Sequence, residues 1–299
     1  MSSTLPVRHM LLAVAVVAVW GTNFVVIKLA LAQVPPLLLA TLRFSFAALP
    51  AVFFLKRPAV PWRNLATYGV FIGAGQFGLL FIAINGHISP GMAALVIQTQ
   101  VFFTIGMSMR SAGERVQPVQ WAALFLSAVG LMTIAAHTDG STTPLGLAII
   151  LVAAFCWASG NMASRRAGRV DMVAYVVWAS LFSVPPLLML SLVIEGPARI
   201  ATSLAHADAV AWGAVLWQAV GNTLFGYAAW GWLLARHPAA TITPMALLVP
   251  VFGMASSLWW LGEPLPGWKL TAAALVLGGL ALNLLWPRLR AAWISRPPA

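Results

Sequence analysis

The sequence predicts an all-α, polytopic membrane protein of ten transmembrane helices, built as two inverted five-helix repeats. Three observations carry that reading: scarce charge, the length of the apolar runs, and self-similarity between the two halves. Of 299 residues 61% are hydrophobic and only 8% are charged, against roughly 25% charged in an ordinary soluble domain. So little polar side chain cannot cover a water-facing surface.

The apolar residues come in blocks of about 18 to 24, long enough at about 1.5 Å per residue to cross a hydrocarbon layer of roughly 30 Å. In order they fall near 10–32, 36–55, 65–85, 91–109, 118–136, 145–164, 172–194, 209–235, 239–260 and 267–286. Lipid offers no hydrogen bond to a free peptide group, so each block has to be a helix; an open sheet would leave its edges unsatisfied.

The net charge of +11 would suit nucleic acid, yet the basic residues are scattered through short links and form no aromatic-studded stripe, so no nucleic-acid partner is expected. A cytoplasmic N-terminus would put Arg8, Lys56, Arg57, Arg63, Arg110, Arg115, Arg165, Arg166, Arg169, Arg236, Arg288, Arg290 and Arg296 on one side. Arg199 and Lys269 fall on the other, with Lys28 and Arg43 inside spans. This positive-inside bias predicts that both termini are cytoplasmic. The first block is longer than the roughly 7 to 15 residues of a signal-peptide core and is broken by Asn23, so it reads as a span and not a cleavable leader, despite Ala30-Leu31-Ala32. The single Cys156 excludes an intrachain disulfide.

The segments beginning at Ser89 and Pro238 align at an offset of 149, which sets Gly113-Glu114 on Gly262-Glu263 and Gly130 on Gly279. Upstream, Phe77-Gly78 falls on Phe225-Gly226 at an offset of 148, and Trp20-Gly-Thr-Asn23 is echoed by Trp157-Ala-Ser-Gly-Asn161. The units are 1–139 and 140–299, five spans each, with an insertion expected around 195–208. An odd number of crossings sends the second copy in from the opposite side, as in many secondary transporters, where a site at the repeat interface opens alternately to either side.

With these features the chain resembles the drug/metabolite transporter superfamily, EamA-type branch. The resemblance rests on the ten blocks in a five-plus-five duplication, Trp20-Gly21-Thr22-Asn23-Phe24 in the first, Pro250-Val251-Phe252 in the ninth, and a Gly-Glu element after the fourth and ninth. It covers essentially the whole chain and is nearest to the amino-acid exporters of that branch. It implies a bacterial inner-membrane exporter of amino acids and other small metabolites. The first half departs from the pattern with Gln100-Val101-Phe102 where the family often has proline.

Asn23 falls near mid-bilayer, where an unpartnered amide costs several kcal/mol. It therefore faces either another helix or a wet cavity; Trp20 one turn away, and the recurrence of the pair in the second half, favour the cavity. The same logic selects Gln76, Gln98, Gln100, Asn161, Gln218 and Asn222 as candidate substrate contacts, with Trp157, Trp217 and Tyr227 as aromatic walls. Lys28 lies close enough to a span end to snorkel. Arg43 is deeper, about eight residues or roughly 12 Å from Pro35, and an intramembrane arginine calls for an ion pair, a carbonyl or an anion.

All six acids, Glu114, Asp139, Asp171, Glu195, Asp208 and Glu263, map to links or span ends, which argues against a carboxylate proton relay and for a facilitator without ion coupling. Gly73-Ala-Gly75-Gln-Phe-Gly78 fits a dinucleotide-binding pattern, but no strand precedes it and no acid follows about 20 residues on, so it reads as a small-residue packing face with Gly69. The five histidines lack ligand spacing, so no metal and no cofactor are expected. Paired acids or a Ser/Lys dyad, the marks of an intramembrane enzyme, are not visible either. Apart from membrane lipid, the expected partner is a small-molecule substrate. Exchange of a phosphorylated or nucleotide-linked metabolite is the alternative function and would want several cations at mid-bilayer. Prolines 185, 186, 244 and 250 are candidate hinges.

Overall fold

The computed structural model describes residues 5–112, 118–137, 141–237 and 239–294. Gly113, Glu114, Arg115, Asp139, Pro238 and Arg296 lie outside the described residues. Among the described residues the regular secondary structure is helical, apart from one isolated bridge between Ile88 and Thr142. Helix α1 is Val7–Ala30 and α2 is Pro36–Val52. Helix α3, Trp62–Ile84, passes through a π-helical stretch at Val70–Gly78; α4 runs from Pro90–Val96 through a 3-10 turn at Ile97–Thr99 into Gln100–Ala112. Then come α5 (Pro118–Ala136), α6 (Pro144–Ala167), α7 (Met172–Glu195) and the short α8 (Pro197–His206). Helix α9 joins Ala209–Leu216, a π stretch at Trp217–Phe225 and Gly226–Arg236. Helix α10 joins Ala239–Ile242, a 3-10 stretch at Thr243–Leu247 and Leu248–Leu261, and α11 is Gly267–Ile294.

Eight of these helices are long and apolar enough to cross a membrane: α1, α3, α4, α5, α6, α7, α10 and α11. Helix α2 is apolar but has 17 residues. Several begin on proline, which supplies no N–H where the first turn would leave one unpaired. Asp171 and Asp208 cap α7 and α9 by accepting from the second and third backbone N–H groups of each helix. Helix α8 fills the stretch where the insertion is expected; the corresponding first-half link, 53–61, carries no helix.

Helix α1 packs on α10 and α9, α4 on α10 and α6, α3 on α6 and α7, and α2 on α7 and α9. The α3–α7 contact uses the small face read from the sequence: a Cβ on Gly69 would stand 2.1 Å from the carbonyl oxygen of Ala179, so nothing larger than hydrogen fits. Helices α5 and α11 pair chiefly with each other. A Cβ on Gly130 would meet Val276 at 2.8 Å, and one on Gly279 would meet Ser127 at 2.2 Å, so a glycine on each helix serves the contact. The pair's other side is apolar and exposed, at Trp121, Phe125 and Met132, as a lipid-facing pair requires.

The links sort into two ends. At one end His9 meets His237 at 2.8 Å, Trp178 donates to the Leu55 carbonyl, and Asn64 reaches both the Ala163 carbonyl and the Tyr175 hydroxyl. Exposed Arg8, Lys56, Arg57, Arg63, Arg165, Arg166, Arg169 and Arg236 ring this end. At the other end two carboxylates are buried. Glu195 accepts from the Leu37 and Leu38 N–H groups at 2.7 and 2.9 Å, capping α2 from the far half of the chain. Glu263 accepts from the Gly91 N–H, the Ser89 and Ser257 hydroxyls and the Lys269 ammonium. Both acids sit at span ends, as the sequence predicts, but their burial against helix N-termini was not legible there.

Two consequences follow for stability. Gly279→Leu should force α5 and α11 apart, at a cost of about 1–3 kcal/mol, and lower the thermal midpoint in detergent; an equally bulky change at exposed Trp121 should not. Lys269→Met strands the buried Glu263 carboxylate, costing about 3 kcal/mol, and Glu263→Gln in the same chain should restore part of the lost midpoint.

Candidate functional site

The π stretches in α3 and α9 are the local irregularities that build the site. Each adds a residue to the turn and rotates the side chains beyond it relative to those before it. In α9 this puts Gln218, Asn222 and Thr223, all buried, on the face toward α2. In α3 it carries Phe77 over the same place.

Arg43 of α2 sits where these elements meet. It is 1% exposed and is the largest fully buried side chain. Its guanidinium donates to Asn222 Oδ1 at 2.9 Å, Thr223 Oγ1 at 3.2 Å and Gln218 Oε1 at 3.4 Å, and it lies 3.7 Å from the Phe77 ring centroid. A cation over an aromatic face recovers part of the hydration it has lost. Two donors remain unpartnered and buried: Arg43 Nε and Gln218 Nε2. Thr223 Oγ1 in turn donates to the Gln218 carbonyl, which helps fix the turn.

Trp20 closes the cluster from α1. Its indole N–H donates to the Asn222 carbonyl at 3.1 Å, and its ring packs 5.9 Å from Tyr227 and 5.2 Å from Trp230. A Cβ on Gly226 would stand 2.3 Å from the indole nitrogen, so a residue without a side chain lets the ring in. Beside Arg43 lies a cavity of about 10 Å³, lined by α2, α3, α7 and α9, with Tyr68, Ser180, Ser183 and Tyr227 offering hydroxyls. It has room for roughly one water. All three tyrosines of the chain gather here or one ring away, since Tyr175 stacks edge-on against Tyr68 at 4.8 Å.

The structure thus brings Trp20, Gln218, Asn222 and Tyr227 together. Asn23, one turn along α1, is 3% exposed, and its Oδ1 has no partner. Gln76 is buried on the π stretch of α3. The second-half echo forms a different cluster: Asn161 of α6 donates to Gln100 Oε1 of α4 at 2.9 Å. Trp157 packs against the core on α6, one turn before Asn161, and Gln98 is buried in the 3-10 turn before Gln100. Lys28 donates to the Ile84 carbonyl at 3.2 Å, at the C-terminal end of α3, and so reaches the span end as expected. Tyr68, Phe77, Ser180, Ser183 and Thr223 were not read from the sequence. Phe77 carried a signal, the repeated Phe-Gly step, whereas the serines look like any small residue in an apolar run.

Known proteins bear on this geometry. The profile of a family described as "EamA-like transporter family" matches residues 7–136 and again 144–285. A Salmonella typhimurium protein named "Probable amino-acid metabolite efflux pump" is 42% identical over 285 residues, 93% of this chain and 95% of its own. An Escherichia coli K12 protein of the same name is 39% identical over 287 residues, covering 94% and 96%. A solved structure described only as "Crystal structure of protein" superposes with a TM-score of 0.63 at 19% identity, over 95% of this chain and 99% of that one, which shows a shared fold. Two matches to one transporter profile, multiple membrane-length apolar helices and a buried polar cluster between them agree: the chain belongs to the EamA-like transporter family, a branch of the drug/metabolite transporters.

Proposed function

We propose that this protein exports amino acids or related zwitterionic metabolites across a bacterial inner membrane by alternating access, with both termini in the cytoplasm and no ion coupling. The observation that carries the reading is the buried cluster of Arg43, Gln218, Asn222 and Thr223 under Trp20, in a chain of a transporter family. The efflux-pump names of the two relatives support the direction and the cargo.

Adding α2 and α9 to the eight membrane-length helices makes ten crossings, and contacts between links of like parity support that count. Duplication over 1–139 and 140–299 is supported by the two profile matches and by a π stretch in α3 and α9 followed by a 3-10 stretch in α4 and α10; the further π turn at Ser191–Glu195 ends α7 alone. An inverted relation is supported by the pairing: α2–α7 and α5–α11 are contacts of a helix with its own equivalent, while α1–α10 mirrors α6–α4 and α2–α9 mirrors α7–α3. The cavity lies among α2, α3, α7 and α9, where such an axis would run.

At about 10 Å³ the cavity holds no amino acid, so substrate enters only when the helices around it part. The prolines at 185, 186, 244 and 250 lie within α7 and α10, where bending would do this. Asn23 Oδ1, an acceptor without a partner, and the Trp20 ring suit an ammonium. The buried acids Glu195 and Glu263 are engaged by several donors each, which supports transport without a carboxylate relay. A single cation in the cluster matches a doubly charged phosphate poorly.

Uptake of a panel of radiolabelled amino acids into proteoliposomes, with and without an imposed pH gradient, tests the reading. Transport should follow the substrate gradient alone, and Asn23→Ala should slow it about ten-fold. Dependence on the pH gradient would refute uncoupled transport, and transport of no amino acid would refute the cargo. Pro250→Ala should lower turnover in folded protein; unchanged turnover would remove the hinge.

A further inference from the structure

We propose that Arg43 and Gln218 form an anion subsite that holds the carboxylate of the transported metabolite. The inference deepens the export reading and rests on it for the identity of the cargo.

A guanidinium in the membrane interior is costly unless it is paired. The three roles open to Arg43 from sequence were an ion pair, a carbonyl and an anion. Among the described residues no carboxylate is in ion-pair contact with it, and its acceptors are two side-chain amide oxygens and one hydroxyl, all neutral. Hydrogen bonds and the Phe77 face orient the group, but they leave its full positive charge uncancelled. The protein does cancel buried charge elsewhere: Lys269, 0% exposed, meets the Glu263 carboxylate at 3.2 Å. The difference at Arg43 marks a site that waits for its counter-ion.

The unpartnered atoms point the same way. Arg43 Nε and Gln218 Nε2 are both donors, buried and unused. Leaving a buried donor unmade is expensive, and two beside an uncompensated cation ask for one acceptor that carries charge. The Arg43 side chain lines the neighbouring cavity, so this demand faces open space. A carboxylate meets it: two oxygens in a plane, as a guanidinium fork prefers, and one negative charge against one positive.

At the offsets of 137 and 138 that relate Trp20 to Trp157 and Asn23 to Asn161, Arg43 falls on Ser180 and Leu181, so the duplication does not supply a second cation. The subsite is therefore single and lies on one side of the repeat interface. Substrate would enter with its charged group toward α2 and α9.

The test compares wild type, Arg43→Gln and Arg43→Lys. In proteoliposomes, an amino acid that wild type carries should be inhibited by an excess of itself and about ten-fold more weakly by its carboxamide, which keeps the side chain and ammonium but loses the charge. Arg43→Gln should raise KM and bring acid and amide within about two-fold of each other; Arg43→Lys should retain part of the preference. Wild type that treats acid and amide alike, or Arg43→Gln that keeps the preference, overturns the proposal. A second readout does not need transport: in detergent, benzoate should raise the thermal midpoint of wild type over benzamide at equal ionic strength, and should not do so for Arg43→Gln. If wild type carries no amino acid, the export reading falls and this shift alone decides the subsite. A midpoint that responds to benzoate equally in both proteins, or in neither, refutes it.

Discussion

A solvent that forms no hydrogen bonds is the constraint on which the rest of this molecule depends. Every peptide group has to be satisfied within its own helix, and every polar side chain by another part of the protein. The structure meets that demand almost everywhere by short, local means. Thr22, Thr41, Thr104 and Thr271 turn their hydroxyls back onto the carbonyl four residues earlier. Where local means do not reach, distant segments are drawn in: Glu195 comes from the second half to cap α2, and Lys28 reaches across to the end of α3. The Glu195 bonds fasten the two halves of the chain together at a helix end.

Association of helices in lipid gains nothing from hydrophobicity, so it depends on close fit and on such polar contacts. Glycine at the crossings makes the fit. Gly69 lets α3 lie against the α7 backbone, and Gly130 with Gly279 lets α5 and α11 do the same. The core between them is filled by small and branched residues such as Ala40, Ala47, Ala83 and Ala154, all fully buried. Against this apolar packing, the few polar atoms that stay unpartnered among the described residues stand out, and two of them, Arg43 Nε and Gln218 Nε2, belong to one cluster.

The π stretches connect local backbone to chemistry. A regular α-helix through 217–225 would not turn Gln218, Asn222 and Thr223 toward one guanidinium while keeping Tyr227 beside them; the wider turn does. The matching stretch in α3 puts Phe77 against the same group. The π stretches of α3 and α9 thus supply the aromatic and the polar sides of the cluster. In the other polar cluster Asn161 donates to Gln100 Oε1.

By itself the sequence determined the solvent of the protein, its helical class, most span positions, the unequal charge of its two ends and the resemblance to its family. These depend on composition and period, which are properties of short stretches. It also named Trp20, Asn23, Gln218, Asn222 and Tyr227, because an amide or a tyrosine in an apolar run is conspicuous wherever the run folds. Only the tertiary structure decided which of them meet. It joined Arg43 to residues some 175 to 180 positions away, separated Asn161 and Gln100 into another cluster, and buried Glu195 and Glu263 against helix ends. Those outcomes depend on helix rotation and crossing, set by glycine contacts and π turns. A shift of one residue in a helical face redirects a side chain by about 100°, a displacement no pattern of residue types records.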